Sequence, residues 1–186
     1  MSPAAFASYL LHRARHLARD QRGVSAVEFA MLLPLMITLY LGVVEISQGV
    51  SIDRKVTLTT RTVADLASQV SSINNADMTN ILNATASVIA PYDASKLRVT
   101  VTAVTIDANS KATVVWSDTL NGTKRSVGAT VTLPPALNVA NTMLIWSEVS
   151  YNYKPTIGYV ITGPLDLSDQ IYMRPRLSTA VTRVNS

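Results

Sequence analysis

Cysteine is absent from the 186 residues, and histidine occurs only at His12 and His16. The first absence excludes disulfides, cysteine nucleophiles and thiolate metal sites in one step. The second leaves everything after residue 16 without an imidazole, which excludes Ser-His-Asp catalysis and the common transition-metal sites there. His12 and His16 have the i, i+4 spacing of a helical metal pair, but no third ligand accompanies them. Glycine is scarce, seven in all, and nowhere gathered into a phosphate-binding loop. Asp107, Asp118, Glu148, Asp166 and Asp169 are scattered, and solvated positions account for them. The composition reads as a protein that is not an enzyme and uses neither cofactor nor metal.

Charge is missing over one long stretch. Residues 29–44 carry none, and from Val24 to Val44 the single charge is Glu28. That length fits the roughly 20 residues with which a helix crosses about 30 Å of hydrocarbon. Mean hydropathy is positive, +0.23, and the isoelectric point is about 9.5. A basic chain suggests nucleic acid, but here the excess is local. Residues 1–23 hold Arg13, Arg15, Arg19 and Arg22 against Asp20, and the remainder is nearly neutral. Basic residues flanking an apolar segment set topology, so the reading is a membrane protein with no nucleic-acid partner. The chain divides into a cytoplasmic basic leader (1–23), a transmembrane helix (24–45) and an exported domain (46–186). In the leader, Arg15, Arg19 and Arg22 share one helical face and Phe6, Leu10, Ala14 and Leu17 another. An anionic inner leaflet or plain water suits that basic face equally well.

Beyond the apolar run the period stays helical, with Ile52, Val56, Val63, Leu66 and Val70 in one stripe. Pro34 is the last proline before Pro91. The spacing predicts one helix from about Val24 to about Val70, with a kink at Pro34. Asn74-Asn75-Ala76-Asp77 offers cap chemistry for a second helix through Met78, Ile81, Leu82, Thr85, Val88 and Ile89, ended by Pro91. A sheet is expected from about residue 96. Leu97, Val99 and Val101 alternate and then shift phase to Val104 and Ile106, which predicts a bulge. Further strands are expected over Ala112–Trp116, Thr142–Tyr153 and Gln170–Met173, with turns at 108–110 and at Asn121-Gly122. In the longest, Met143, Ile145, Val149, Tyr151 and Tyr153 share one face and Leu144 and Trp146 the other. Trp116, Trp146, Tyr151 and Tyr153 read as packing residues rather than a ligand platform. Helices first and antiparallel strands after is an α+β arrangement, in which the second half of the long helix covers the sheet.

Three explanations suit a basic segment followed by an apolar helix. A secretory signal peptide needs a small-x-small site after the apolar run, where only Ser47-x-Gly49 is on offer. An uncleaved single-pass anchor, carrying a ligand-binding or sensing module, is the second. Neither accounts for Glu28. The third is cleavage before the apolar run, between Gly23 and Val24, which makes Glu28 the fifth residue of the product. A new ammonium then lies at the membrane face, with a carboxylate one turn deeper, about 6 Å along the axis. An acid at the centre of a membrane helix costs about 2.5 to 3.5 kcal/mol, less at shallow depth and near the positive helix end. An amine, its own or a neighbouring subunit's, offsets the rest.

Arg22-Gly23-Val24-Ser25-Ala26-Val27-Glu28-Phe29-Ala30, followed by Leu32-Leu33-Pro34-Leu35, resembles the RG-xxx-VEFA-xxx-P signature of TadE-like pseudopilins of the tight-adherence (Flp, type IVc) pilus system. The likeness covers about residues 19–50 and extends loosely to Tyr151-Asn152-Tyr153-Lys154-Pro155 and Arg174-Pro175-Arg176. It implies removal of the leader after Gly23 by a membrane-embedded aspartic prepilin peptidase, leaving Val24 as the N-terminus. It implies an assembly role for Glu28 and Phe29, and partnership with other pilin subunits and an inner-membrane platform. The location implied is the bacterial inner membrane, with the C-terminal domain periplasmic and a place in or at the base of a pilus. Major Flp pilins carry Tyr after the glutamate and are very short. Phe29 and a domain of more than 100 residues therefore point to a minor pilin. Ala26 and Ala30 form a small-xxx-small pair suited to close helix approach.

Overall fold

The computed structural model describes residues 22–155 and 163–184. Most of the basic leader, His12 and His16 included, lies outside the described residues. The first helix, α1, runs Arg22–Ser68 as one α-helix through Pro34. The chain divides into two compact units at Val44/Glu45. In the first unit, residues 23–37 are exposed all round the helix. In the second, Ile52, Val56, Val63 and Ala67 are buried and form the stripe expected of the covering half. The hydroxyls on this part of α1 find acceptors on the helix itself. Thr59 and Thr60, both fully buried, donate to the carbonyls of Lys55 and Val56. The helix stops at Ser68, two residues short of expectation, because the returning chain caps it. The Arg176 N–H donates to the Ser68 carbonyl at 2.8 Å, and the Arg176 guanidinium pairs with Asp65.

Four antiparallel strands form the main sheet in the order β3-β2-β4-β5, with β2 Leu97–Ile106, β3 Ala112–Leu120, β4 Thr142–Tyr153 and β5 Leu165–Met173. Leu97, Val99, Val101 and Ala103 of β2 join Met143, Ile145, Val149, Tyr151 and Tyr153 of β4 on the face that α1 covers. On the opposite face Val104 and Ile106 meet Leu144, Trp146, Ala112 and Leu133 in a second, smaller core. This explains the phase shift in β2, and the expected bulge is found at that point, between Ala103 and Val104 in the pairing with β3. The strand stays in unbroken register with β4, from Leu97 opposite Tyr151 to Ile106 opposite Thr142. Its apolar residues change face because both faces are covered towards that end. The one extra residue is in β3, where Trp116 opposes Ala103 but Val114 opposes Val104, leaving Val115 unpaired between them.

A second helix, α2 Asn75–Ile89, begins with a capping box. The Asp77 N–H donates to Asn74 Oδ1 at 2.8 Å, and the Asn74 N–H to the Asp77 carboxylate at 3.2 Å. The β2–β3 turn is held by the Asp107 carboxylate, which accepts from the Asn109 and Lys111 N–H groups at 2.8 Å each. Asn121, at φ 55°, ends β3 and opens a long loop rather than a tight hairpin. β3 and β5 are longer than expected, and a two-residue parallel pair, β1 Ser72–Ile73 with β6 Thr182–Arg183, was not expected at all.

Asp118 of β3 fastens the C-terminal segment. Its carboxylate accepts from Arg183 Nε and from Lys124 Nζ, each at 2.8 Å. The Arg183 guanidinium also reaches the Ile73 carbonyl and Asn75 Oδ1. Asp118 is buried, which corrects the reading of a solvated carboxylate. Burial pushes its pKa up, but the hydrogen bonds and charges of Arg183 and Lys124 outweigh burial, and the net shift is downward. A depressed carboxylate contributes stability that is present above its unfolded pKa, about 3.9, and is lost as pH falls through the folded pKa. Asp118→Asn should therefore destabilise the chain by about 1–3 kcal/mol at neutral pH. The difference from wild type should shrink below about pH 4. Thermal unfolding of the detergent-solubilised pair across that range checks both parts.

Candidate functional site

The residues singled out in the sequence all lie in the first turns of α1. Gly23 is helical, and a Cβ added there would meet nothing within 4 Å. Neither backbone conformation nor crowding calls for glycine at that position. Val24 and Phe29 are more than half exposed, and Ala26, Glu28 and Ala30 are exposed as well. At 3.6 residues per turn, Val24 and Glu28 share one face, while Ala26, Ala30 and Pro34 form a row on the opposite side. Glu28 sits in the second turn of α1, and the first turn holds no acid. Pro34 lies inside the helix, and its carbonyl accepts from the Thr38 hydroxyl at 2.8 Å. By length and composition α1 is long and apolar enough to cross a membrane.

The sheet carries a second constellation, which the sequence reading did not assemble. The outer face of β2, β4 and β5 presents Arg98, Ser150 and Ser168 in one cross-strand row and Thr100, Glu148 and Gln170 in the next. Beyond them stand Trp146 and Tyr172, stacked at 5.2 Å between centroids and 24° between planes. The loop after β3 returns over this face and lays the Arg125 guanidinium 3.8 Å from the Trp146 ring centre. The same guanidinium makes a two-pronged ion pair with Glu148, whose second prong measures 2.9 Å. Burial is the main cause of a raised pKa at Tyr172, and Glu148 adds to it against Arg125. Glu148 was read as solvated and is instead the anchor of this loop.

Loop and outer face together bound an open groove of about 1020 Å³. Gly122 lets the loop come close, since a Cβ there would stand 2.6 Å from the Thr119 hydroxyl. Lys124 and Arg125 hang from the loop by their pairs with Asp118 and Glu148. The sequence offered one usable signal, the alternation of polar residues along KLRVTVT and along Leu165–Met173. Which loop would cover them was not written in it. Trp116, Trp146, Tyr151 and Tyr153 are buried, as expected of packing residues.

Arg125→Ala should expose Trp146 and leave Glu148 without its partner. The expected outcome is a red shift of tryptophan emission and a loss of about 1–3 kcal/mol in thermal stability. Unchanged emission would place the Arg125 guanidinium away from the ring.

Comparison with protein-family models matches residues 23–65 to the family described as TadE-like protein. The match begins at Gly23, holds Glu28 and Pro34, and lies wholly within α1. No curated protein and no solved structure matches the chain.

Proposed function

We propose that the chain is a pilin-like structural or assembly component of a type IVc (Tad/Flp) pilus, not an enzyme, anchored in the bacterial inner membrane by α1. The observation that carries the reading is the match to TadE-like proteins over residues 23–65, on a helix long and apolar enough to span a bilayer. In this reading a prepilin peptidase cuts between Gly23 and Val24 on the cytoplasmic side. The leader stays inside by its arginines, and the domain after residue 45 is periplasmic. A glycine on which no packing depends suits a processing site.

Cleavage leaves an ammonium on Val24, on the same helical face as Glu28 and about 6 Å away along the axis. The carboxylate can neutralise that amine, or the amine of an incoming subunit. The row of Ala26, Ala30 and Pro34 on the other side gives a neighbouring helix a shallow surface on which to pack. Phe29 lies next to Glu28 and extends the contact. Partners are other pilin and pseudopilin subunits and the inner-membrane assembly platform. No cofactor enters. The groove on the sheet favours a second reading, an uncleaved single-pass anchor carrying a ligand-binding module, and the N-terminus separates the two.

In the native host, mass measurement should find the mature chain starting at Val24, and at Met1 when the peptidase is deleted. A chain that keeps its arginines in the presence of the peptidase supports the uncleaved anchor. Glu28→Ala should insert and be cleaved normally, because removing the acid eases insertion. Its recovery in pili or in the assembly complex should fall about tenfold or more, equivalent to about 1.4 kcal/mol. Wild-type incorporation of that variant would remove the role given to Glu28.

A further inference from the structure

The groove on the outer face of the sheet has no part in membrane anchoring or in the chemistry at Gly23 and Glu28. We propose that it is a binding site for an acidic oligosaccharide. Its lining decides the class of ligand. Thr100, Asn121, Thr123, Ser150, Ser168 and Gln170 supply hydroxyl and amide groups, and Val149 is the one apolar residue among those that line it. An apolar or aromatic ligand would bury little of its surface there. A polyhydroxylated chain finds donors and acceptors on three adjacent strands about 4.8 Å apart. Trp146 Nε1 donates to Gln170 Oε1 at 3.2 Å, so the amide N–H groups of Gln170 are left for the groove.

The charge pattern adds the acid. Three cations, Arg98, Lys124 and Arg125, and the Glu148 carboxylate line the groove, while Asp169 pairs opposite Val149 on the other face of the edge strand. Lys124 and Arg125 are taken up by Asp118 and Glu148. Arg98 is exposed and, among the described residues, has no ion-pair partner. It stands in line with Ser150 and Ser168 and offers a two-pronged donor to a carboxylate.

A peptide is disfavoured, because it usually gains affinity from backbone bonds at a sheet edge. The backbone groups of β2 and β4 beneath the groove are used in the ladders on both sides, and only the outer edge of β5, at the rim, is left open to a strand. The loop wall is fixed before any ligand arrives. Arg125 is held by Glu148, by the Trp146 ring and through its own N–H by the Ser117 hydroxyl at 3.1 Å, so little ordering cost falls on binding.

The test is calorimetric titration of the full chain in detergent with oligogalacturonate, a linear uronic-acid polymer. Neutral maltooligosaccharide and oligoglutamate of similar length serve as comparisons. Oligogalacturonate should bind, and both comparisons should bind at least tenfold more weakly. Arg98→Glu, which reverses the groove cation that has no ion-pair partner among the described residues, and Ser168→Trp, which fills the groove from the edge strand, should each weaken binding at least tenfold. Both positions are exposed, so both variants should melt with wild type. No uronate binding at about 1 mM, a weak limit near 4 kcal/mol, would overturn the proposal. So would equal binding of oligoglutamate or of the neutral glycan, or indifference to both substitutions. Because the readout is the domain's own ligand, the result is independent of whether the leader is removed.

Discussion

The packing of Ile52, Val56, Val63 and Ala67 against the inner face of β2 and β4 is the constraint on which the domain depends. β2 can be central only because its odd-numbered residues are covered on that side. Leu97, Val99, Val101 and Ala103 are fully buried, and each is worth more in the core than the rim residues that flank it. No other helix of comparable length is present among the described residues. α2 covers only one region, through Met78, Ile81, Leu82 and Ile89. α1 therefore cannot be shortened from its C-terminal side without uncovering the sheet, and its capping by Arg176 and Asp65 is part of the same arrangement.

A helix on one face leaves the other face to solve its own burial. At the end of β2 near the Asp107 turn, the solution is apolar, with Val104, Ile106, Leu144 and Leu133 forming the small core. At the opposite end the rows are polar, and the loop after β3 spans the boundary. Arg125 marks the change, since its planar face lies on Trp146 and its edge on Glu148. A lysine cannot make both contacts, because its ammonium has neither a flat face nor a fork. Arg125 shares the work of holding the loop above the polar rows with the Lys124–Asp118 pair and with the backbone bonds of Gly128 and Ala129 to Val114.

How much of this could be read from the sequence follows from the range of each interaction. α1, α2 and β4 were legible because their signals are local: a 3.6-residue stripe, an Asn-x-x-Asp cap, and an apolar run at Met143–Trp146 followed by a period of two from Glu148 to Tyr153. β6 and β1 carry no periodicity in two residues each. Their pairing rests on Arg183 meeting Asp118, Ile73 and Asn75 across more than 60 positions of chain. The phase shift in β2 was visible, but a bulge and a change of covered face produce the same pattern. Only the registers with β3 and β4 show that both are present. Asp118 and Glu148 were read as solvated because their partners, Arg183 and Arg125, are remote in sequence. In the first turns of α1, by contrast, Gly23, Glu28 and Pro34 were legible as a spacing, since a helix turns sequence distance directly into geometry.

The apolar run is bracketed by two acids whose surroundings differ. From residue 29 to residue 44 the helix is uncharged, which gives about 24 Å, short of the roughly 30 Å of a hydrocarbon core. For the helix to span such a core, as proposed, the shortfall of about four residues has to come from one end or from a locally thinned bilayer. At the C-terminal end, Glu45 is 2% exposed and belongs to the folded domain, where the Tyr153 hydroxyl reaches its backbone carbonyl. That acid is shielded by protein whatever the bilayer does. At the N-terminal end, Glu28 is exposed, with no protein group covering it among the described residues. If the helix gains its missing length there, Glu28 is the residue that enters lipid. Were the chain cut after Gly23, as proposed, the new amine one turn away on the same face would turn that burial from a cost into a specific attraction between helices.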